Sequence, residues 1–417
     1  MPAIRDDGLR ATLAMMAPGT ALRDGLERIL RGRTGALIIV GHDDLVESLC
    51  TGGFHLNVEF SATRLRELCK MDGSVVLTTD GTRIVRAGVH LMPERSIPST
   101  ESGTRHRTAE RVAKQTGYPV ISVSQSMNII GLFLGNRHHV LDATAEILSR
   151  ANQALATLER YKHRLDEITG TLTALEVEDL VTVREAMMVI QRLEMVRHIA
   201  DEVEGYVIEL GVDGRLLALQ LDELMAGVES DRALVIRDYS PSSAGFRKIM
   251  VELDRLSSSE LLDLTAVAAA LGFGHGDDVL ERRVSPRGLR LLNRVPRLPA
   301  TIVDRTVERF GTLQPLLSAP VEELQKVEGV GRTRAESIRE GLSRLAQISI
   351  FERYVLRARF VGSRRSSSPD IVQPRDLGTV GEAASIWGVT RGRGGLRGSA
   401  LLRLRCFRGA GFPSTRP

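Results

Sequence analysis

The apolar residues between positions 147 and 172 recur in alternating steps of four and three. They are Ile147, Ala151, Ala154, Leu158, Tyr161, Leu165, Ile168 and Leu172. This spacing puts them on one side of a single long helix, and such a seam more often packs against another helix than lines a cofactor groove. Helical patterning continues through Leu193 and returns between Glu260 and Leu271. We therefore predict an all-helical spine over 142–285.

Residues 8–141 have a different pattern, in which short β-branched runs alternate with helical segments. A helical entry over 8–33 precedes a predicted strand at Ala36–Val40, and a helix-rich stretch is expected from there to Leu68. Strands mixed with helices over this length indicate an α/β domain, with a mixed central sheet flanked by helices.

Two hairpins and one helix complete this predicted domain. The first hairpin turns at Asp80-Gly81 between β-branched runs, and the second joins 120–124 to 129–134. Between the hairpins, the stretch from Arg107 to Gln115 has the pattern of a helix, with Gly117 just beyond its end.

Nothing in the sequence indicates a membrane or secreted protein. The chain has no apolar run of 18 residues, and its first residues lack the apolar core of a signal peptide. Its three cysteines, Cys50, Cys69 and Cys406, lack metal-ligand spacing and are expected to be reduced packing thiols. We predict a cytoplasmic protein that does not contact membranes.

Positive charge is concentrated in the last third of the chain. Residues 286–360 hold fourteen basic and eight acidic side chains, and 361–417 hold ten arginines and three acidic residues, whereas the rest is net negative. A polyanion such as DNA is therefore expected to bind in the last third. The tail over 361–417 is rich in Arg, Gly and Ser, and is predicted to be disordered. It is either a basic DNA-binding arm or a dispensable, even mistranslated, extension.

Two short segments of the first domain suit a triphosphate. Residues 104–108, Thr-Arg-His-Arg-Thr, lie at the start of a predicted helix, where the helix dipole favours anions and arginines can bind phosphate oxygens in pairs. Residues 71–74, Met-Asp-Gly-Ser, open the first hairpin with a carboxylate. Magnesium on a triphosphate needs only one or two protein carboxylates. Alone, the Arg-His-Arg tripeptide is more typical of a solvated basic turn.

Together, with 33 positions from Asp72 to Arg105, the two segments resemble the signature motifs of the diadenylate cyclase family. Leu-Arg-Glu-Leu over 65–68 and Glu-Ser-Gly over 101–103 agree as well, and the resemblance covers roughly residues 8–140. One departure is Ser74, where the family usually has alanine. The resemblance implies that each domain binds one ATP, and that two facing domains join their ATP molecules into cyclic di-AMP with release of two pyrophosphates.

The resemblance also implies roles for individual residues. Catalytic roles are expected for Asp72, Arg105, His106 and Arg107, and Asp72 is the expected ligand of Mg²⁺ or Mn²⁺. ATP-binding roles are expected for Gly73, Ser74, Leu91, Thr104, Thr108 and Ser124, with Leu91 packed against adenine. Catalysis would come from positioning and charge stabilisation. Because one chain cannot complete the reaction, the resemblance implies a homo-oligomer.

A second pattern lies between residues 290 and 345. A predicted helix, a glycine turn at 328–331 and a second helix ending at Gly341 resemble the helix-hairpin-helix motif, which grips one DNA backbone without reading bases. The expected DNA-binding residues are Lys326, Gly329, Val330, Gly331, Arg332 and Arg334. A weaker first copy begins at 295–299, Val-Pro-Arg-Leu-Pro. We predict a helix-hairpin-helix DNA-binding domain over 286–360, with protein contacts as the lesser alternative.

A cyclase domain, a helical spine and a helix-hairpin-helix end, in this order, resemble the DNA-scanning branch of the diadenylate cyclase family. The resemblance implies an octamer of head-to-head tetramers, located on DNA, whose cyclic di-AMP output falls at branched DNA. The alternative is a non-catalytic DNA-binding protein whose nucleotide site only senses ATP. Asp72 together with the complete Arg-His-Arg segment favours the enzyme. A nucleic-acid-joining nucleotidyltransferase lacks support because no nucleophilic lysine motif is found.

Overall fold

The computed structural model describes residues 7–241 and 245–364 of the 417-residue chain. The predicted tail over 361–417 lies outside these residues, except for 361–364, which belong to the last helix. In these two stretches, no helix is long and apolar enough to cross a membrane. The predicted domain limits at 141, 285 and 360 stay predictions.

The N-terminal part is built on one mixed sheet. Its strands are β1 (Ala36–Val40), β2 (Cys50–Thr51), β3 (Phe54–Glu59), β4 (Ser74–Leu77), β5 (Arg83–Leu91), β6 (Val120–Ser124), β7 (Ile129–Leu134) and β8 (Arg137–Leu141). They are ordered β2-β5-β4-β1-β6-β7-β8, and β3 also pairs with β5. Strands β1 and β4 are parallel, whereas the other pairs are antiparallel. The predicted fold class is confirmed.

Helices cover both faces of this sheet. They are α1 (Asp7–Met15), α2 (Ala21–Arg31), α3 (Asp44–Leu49), α4 (Ala62–Leu68) and α5 (Thr104–Thr116). Leu13, Leu26 and Leu65 of α1, α2 and α4 pack in a cluster on one face. Val46 of α3 and Val112 of α5 pack on the other. Strand β1 is buried along its whole length, as expected for a central strand covered on both faces.

The stretch between Gly41 and Leu68 corrects the prediction of a helix-rich segment. Strands β2 and β3 lie there between α3 and α4. The side chains of β3 are exposed or half-buried, so this outer strand lacks the buried apolar run that identifies central strands in a sequence. Helix α5 also begins earlier than predicted, at Thr104 instead of Arg107.

Helices make up the described part of the region that follows β8. They are α6 (Thr144–Val177), α7 (Val183–Leu210), α8 (Arg215–Met225), α9 (Val228–Tyr239), α10 (Phe246–Arg255), α11 (Leu264–Ala270) and α12 (Asp277–Leu280). The predicted seam of α6 is buried or half-buried in one cluster with α7. With 34 residues, α6 is about 51 Å long. After α7, the chain returns to the N-terminal part, where the amide of Val212 donates to the Pro18 carbonyl at 3.2 Å.

The C-terminal module has a core of its own. Its helices are α13 (Leu289–Asn293), α14 (Ala300–Phe310), α15 (Leu313–Ser318), α16 (Val321–Leu324) and α17 (Arg332–Arg364). The prediction that the last helix ends at Gly341 is wrong, because α17 continues through this residue. A Cβ on Gly341 would lie 3.1 Å from Val295 Cγ2. The glycine therefore permits close packing of α17 against the first turn of the module, residues 295–299 between α13 and α14.

A buried polar cluster joins the end of α6 to this module. Arg290 donates to one oxygen of Glu176, and the Tyr239 hydroxyl donates to the other at 2.5 Å. The Asp238 carboxylate accepts from the backbone amides of Leu289 and Arg290 at 2.7 and 2.9 Å. Burial, followed by the neighbouring Glu176 carboxylate, raises the pKa of Asp238 to about 6, although the two amides oppose the shift.

We expect Asp238→Asn to lower Tm more at pH 5 than at pH 7.5. The pKa of an unfolded aspartate is about 3.9, so between about pH 4 and pH 6 the folded protein holds a proton that the unfolded chain has lost. The stability from this protonated carboxyl is present below the unfolded pKa and lost as the pH rises through 6. The loss amounts to at most about 3 kcal/mol. Thermal unfolding at both pH values tests it, and an equal loss of Tm would contradict it.

Candidate nucleotide site and DNA interface

The site lies at one edge of the sheet, where β1 and β4 begin and β6 ends. β1 pairs with β6 in antiparallel register, so Ser124, the last residue of β6, lies next to Gly35. On the other side, β1 pairs with β4 in parallel register, and Asp72 lies two residues before β4, in a turn where Gly73 has φ +105°. The Asp72 carbonyl oxygen is 3.7 Å from the Cβ position of Gly88, so Asp72 lies beside Gly88 of β5.

Arg105 reaches this edge from the first turn of α5. A Cβ on Gly35 would lie 2.1 Å from Arg105 Nη1, so the guanidinium rests directly on the glycine. The same guanidinium opposes the burial that raises the pKa of the Cys69 thiol to about 12. Gly35 was not predicted as a site residue. The only sequence feature that could have indicated it is its position immediately before the predicted strand Ala36–Val40.

The turn before β4 holds the Asp72 carboxylate at the sheet edge. Asp72 is exposed and accepts a hydrogen bond from the Gly73 amide at 3.0 Å. Gly73 has φ +105°, and a Cβ there would lie 2.7 Å from the carbonyl carbon of Gly88, so this approach of β4 to β5 needs glycine. Ser74 is buried, and its hydroxyl makes no hydrogen bond to another residue that the structure describes. An alanine would fit in its place.

His106 points inward from α5. It is 7% exposed, and its Nδ1 has no hydrogen-bond partner among the described residues. Its ring meets Phe133 edge-on at 6.1 Å between centroids, and Phe133 stacks on His138 at 4.2 Å. Burial lowers the pKa of His106, which the Glu101 carboxylate partly opposes. The site therefore favours the neutral imidazole, which can both donate and accept a hydrogen bond.

Two features beside His106 were not predicted. His138 Nδ1 lies 3.1 Å from Glu101 Oε1, which ties β8 to the loop before α5. Ser122 is fully buried in β6, opposite Gly131, and its hydroxyl has no partner in the part of the chain that the structure describes. A serine between Ile121 and Val123 in a predicted strand was the only sequence signal for this polar position.

The other predicted site residues of α5 differ in whether their polar groups already make hydrogen bonds within the chain. Thr104 is the first residue of the helix and follows Gly103, which provides no side-chain cap. The Thr108 hydroxyl donates to the Thr104 carbonyl at 2.9 Å. Arg107 is exposed and donates to the carbonyl of Ser102 at 3.2 Å. The first-turn amides and the Thr104 hydroxyl are therefore the groups best placed to meet a phosphate.

Ser124 is the last residue of β6, and Leu91 is the last residue of β5. Ser124 is 6% exposed, and its hydroxyl accepts from the Met127 amide at 3.3 Å. Leu91 is also 6% exposed and packs in the cluster beneath α3 and α5, which leaves it little surface for adenine. Their roles in ATP binding stay predictions.

The site has one carboxylate suited to a metal. Within 7–241 and 245–364, no group of three or more His, Cys, Asp or Glu side chains could hold a metal ion. The single, exposed carboxylate of Asp72 fits magnesium that takes its remaining ligands from phosphates and water. It does not fit a metal held by protein side chains alone.

The second turn of the C-terminal module, residues 327–331 between α16 and α17, has an accessible backbone. Gly329 has φ +86°, which favours glycine, and Val330 is buried in the core of the module. Gly331 accepts from the Ala335 amide at 3.0 Å and so starts α17. A Cβ on Gly331 would meet nothing within 4 Å, which leaves room for a phosphate.

Three predicted cations surround this turn. Lys326 pairs with Glu323, and Arg332 pairs with Glu336 at 2.9 Å. Both pairs are solvent-exposed and therefore weak, so a phosphate can replace the carboxylate. Arg334 Nη1 donates to the Gly329 carbonyl at 2.8 Å and closes the turn. The structure thus brings all six predicted DNA-binding residues together.

Comparison with known proteins finds two family models that match the part of the chain before the C-terminal module. Residues 23–138 match the family model "DisA bacterial checkpoint controller nucleotide-binding", and 141–280 match "DisA bacterial checkpoint controller linker region". The DNA integrity scanning protein DisA of Frankia alni is 68% identical over 84% of this chain and 98% of its own length. The DisA of Streptomyces coelicolor is 63% identical over 84% of this chain and 95% of its own.

Among solved structures, DacA from Staphylococcus aureus aligns with 32% of this chain and 88% of its own at 21% identity, with a TM-score of 0.26. The curated relatives are far more similar, and this chain spans nearly their full length. The chain therefore belongs to the DisA family and is a diadenylate cyclase.

Proposed function

We propose that this chain condenses two ATP molecules into cyclic di-AMP and two pyrophosphates, at active sites completed by a facing subunit. The main support is the sheet edge where Asp72 and Ser124 flank the glycine on which Arg105 rests. A carboxylate, a hydroxyl and a guanidinium next to the uncapped first turn of α5 match the needs of a nucleoside triphosphate.

In the proposed reaction, the ribose 3′-oxygen of one ATP attacks the α-phosphorus of the other. A new oxygen–phosphorus bond forms, the bond from the α-phosphorus to the oxygen bridging to the β-phosphate breaks, pyrophosphate leaves, and the hydroxyl proton is released to solvent. The same reaction in the opposite direction closes the ring and releases the second pyrophosphate. Asp72 orients the attacking hydroxyl and would hold Mg²⁺ or Mn²⁺, which would neutralise phosphate charge. Arg105 and the α5 amides bind phosphate oxygens, and His106, which is buried against Phe133, positions this turn.

Exposed apolar side chains beside the site support the pairing of subunits. Phe54 and Met71 lie near Gly88, about 3.8 and 3.9 Å from where its Cβ would be, and are 61% and 39% exposed. Met127 follows Ser124 in the β6–β7 turn and is 57% exposed. Apolar groups of this kind around a polar site are typical of a surface that another protein covers. A facing subunit, within a larger assembly such as an octamer, would cover them.

We also propose that the C-terminal module binds DNA in the cytoplasm, with branched DNA preferred, and that binding lowers cyclase output. Helix α6 supports this coupling, because it begins right after β8 and carries Glu176 in its last turn, where Glu176 pairs with the buried Arg290 of the module. DNA would shift the balance between two arrangements of the facing sites, provided it binds one of them more tightly.

Asp72→Asn should nearly abolish cyclic di-AMP synthesis from ATP with Mg²⁺ or Mn²⁺, while the oligomer and DNA binding persist. The change removes an interaction that acts mainly in the transition state, so turnover falls more than ATP binding. Asp80→Asn, the same change in the Asp-Gly pair at the other end of β4, is the matched control and should keep synthesis. Near-normal turnover of Asp72→Asn would refute the assignment. Absence of product from the wild type would favour the ATP-sensing alternative.

Ser74→Ala should change the rate or the ATP affinity by at most a few-fold. The hydroxyl is buried without a hydrogen bond to another described residue, and alanine is the usual residue of the family. Steady-state kinetics of both proteins provide the measurement. A loss beyond about a hundredfold, or roughly 2.7 kcal/mol, would mean that the hydroxyl is essential.

Gly329→Val should abolish DNA binding and the inhibition by a four-way junction, but leave basal synthesis unchanged. Valine is strained at φ +86°, so the turn that meets the phosphate would be distorted. Gly311→Val is the control, because Gly311 has φ +73° in the same module and no neighbour near its Cβ position. It should retain inhibition. Equal inhibition of Gly329→Val and the wild type would show that DNA acts on the cyclase part itself.

A further inference from the structure

Helix α5 and the loop that precedes it, residues 97–103, form one unit. The Glu110 carboxylate of α5 accepts from the Ser99 hydroxyl of the loop at 2.5 Å. Arg111 Nε, also in α5, donates to the Ile97 carbonyl at 2.9 Å. These contacts fasten the loop to the helix, so the two would shift together relative to the sheet.

The proposed nucleotide site needs this unit in one place on the sheet. Asp72 and Ser124 lie at the sheet edge, whereas Arg105 and the first-turn amides belong to α5. A triphosphate that meets both sets of groups depends on the distance between them, and a misplacement of about 1 Å can cost about a hundredfold in rate. Contacts between the sheet and the phosphate-binding end of α5 therefore matter for ATP binding.

His138 of β8 makes such a contact. Its Nδ1 lies 3.1 Å from Glu101 Oε1 in the loop, and its ring stacks on Phe133 of β7 with 4.2 Å between centroids and 7° between planes. Phe133 in turn meets His106 of α5 edge-on. Gly131 makes room for the histidine ring, because a Cβ there would lie 3.1 Å from His138 Nε2. The stack holds the face of the ring and the carboxylate holds its edge, so His138 connects the loop to two strands.

We propose that His138 and Glu101 are positioning residues for the triphosphate, which hold the first turn of α5 in place before ATP binds. They act through the turn that carries Arg105 and His106. Without the pair, ATP has to order this turn on binding, and that cost lowers its apparent affinity. Bound phosphates then hold the turn themselves, so turnover changes less than affinity. The inference rests on the proposed function of this site and extends it to two residues outside the set expected to bind ATP.

The test compares His138→Phe and Glu101→Ala with the wild type in the full-length chain. His138→Phe keeps an aromatic ring on Phe133 but cannot bind Glu101. The Kd of 3′-deoxy-ATP, which lacks the attacking hydroxyl, is measured together with the KM and kcat of cyclic di-AMP synthesis. The pair is partly exposed, with 34% and 23% of the two side chains accessible, so its contribution is modest. We expect Kd and KM to rise about fivefold in each variant, with kcat within about twofold of the wild type.

Two further variants show whether the pair acts as a unit. The double variant of His138→Phe and Glu101→Ala should bind no more weakly than either single variant, because each single change already removes the contact. Glu101→Gln should bind 3′-deoxy-ATP within about twofold of the wild type, because its amide oxygen can still accept from His138. Additive losses in the double variant would overturn the inference.

His139→Phe is the matched control. His139 is the next residue of β8 and points to the opposite face of the sheet, where its Nε2 lies 3.5 Å from Glu209 of α7. The variant should keep the wild-type Kd and KM. A wild-type Kd in His138→Phe and Glu101→Ala, or an equal rise in His139→Phe, would also overturn the inference. A wild type that binds 3′-deoxy-ATP but forms no cyclic di-AMP would instead overturn the proposed reaction, and the Kd values would still decide the inference.

Discussion

The register of β1 with its two neighbours is the constraint on which the nucleotide site depends. The parallel pairing with β4 and the antiparallel pairing with β6 set Asp72 and Ser124 on either side of Gly35. A slip of one residue would turn each side chain to the other face, where α1, α2 and α4 pack. Because β1 is buried on both faces, such a slip is costly, and the register that fills the two cores is also the one that assembles the site.

The helical region and the C-terminal module meet at a joint that is polar and buried. Arg290, Glu176, Asp238 and Tyr239 are each at most 4% exposed and are held by hydrogen bonds to one another or to backbone amides, whereas Nε and Nη1 of Arg290 have no partner among the described residues. Breaking such a pair leaves a buried charge without compensation, which is strongly destabilising. The joint therefore attaches the C-terminal end of the long helix α6 to the module, while its other end follows β8 of the sheet. The proposed coupling between DNA and cyclase output requires such a continuous connection.

The C-terminal module contains two similar halves whose turns, 295–299 and 327–331, differ in their residues. Its second turn has glycines, which expose the backbone, whereas its first turn has an arginine and a proline in the equivalent places. The apolar core positions are kept in both halves. Packing thus constrains the interior of the two halves, while the residues of their turns are free to differ.

The sequence by itself determined the fold class, the family motifs, the seam of α6 and the glycine turn, because each is a local pattern of periodicity or residue spacing. It did not determine β3, whose half-exposed side chains lack the pattern of a core strand, or the continuation of α17 past Gly341. Gly35, the Glu101–His138 pair and the buried hydroxyl of Ser122 also needed the tertiary structure. The groups around them come from other strands and helices, so only strand register and helix packing decide what these residues meet.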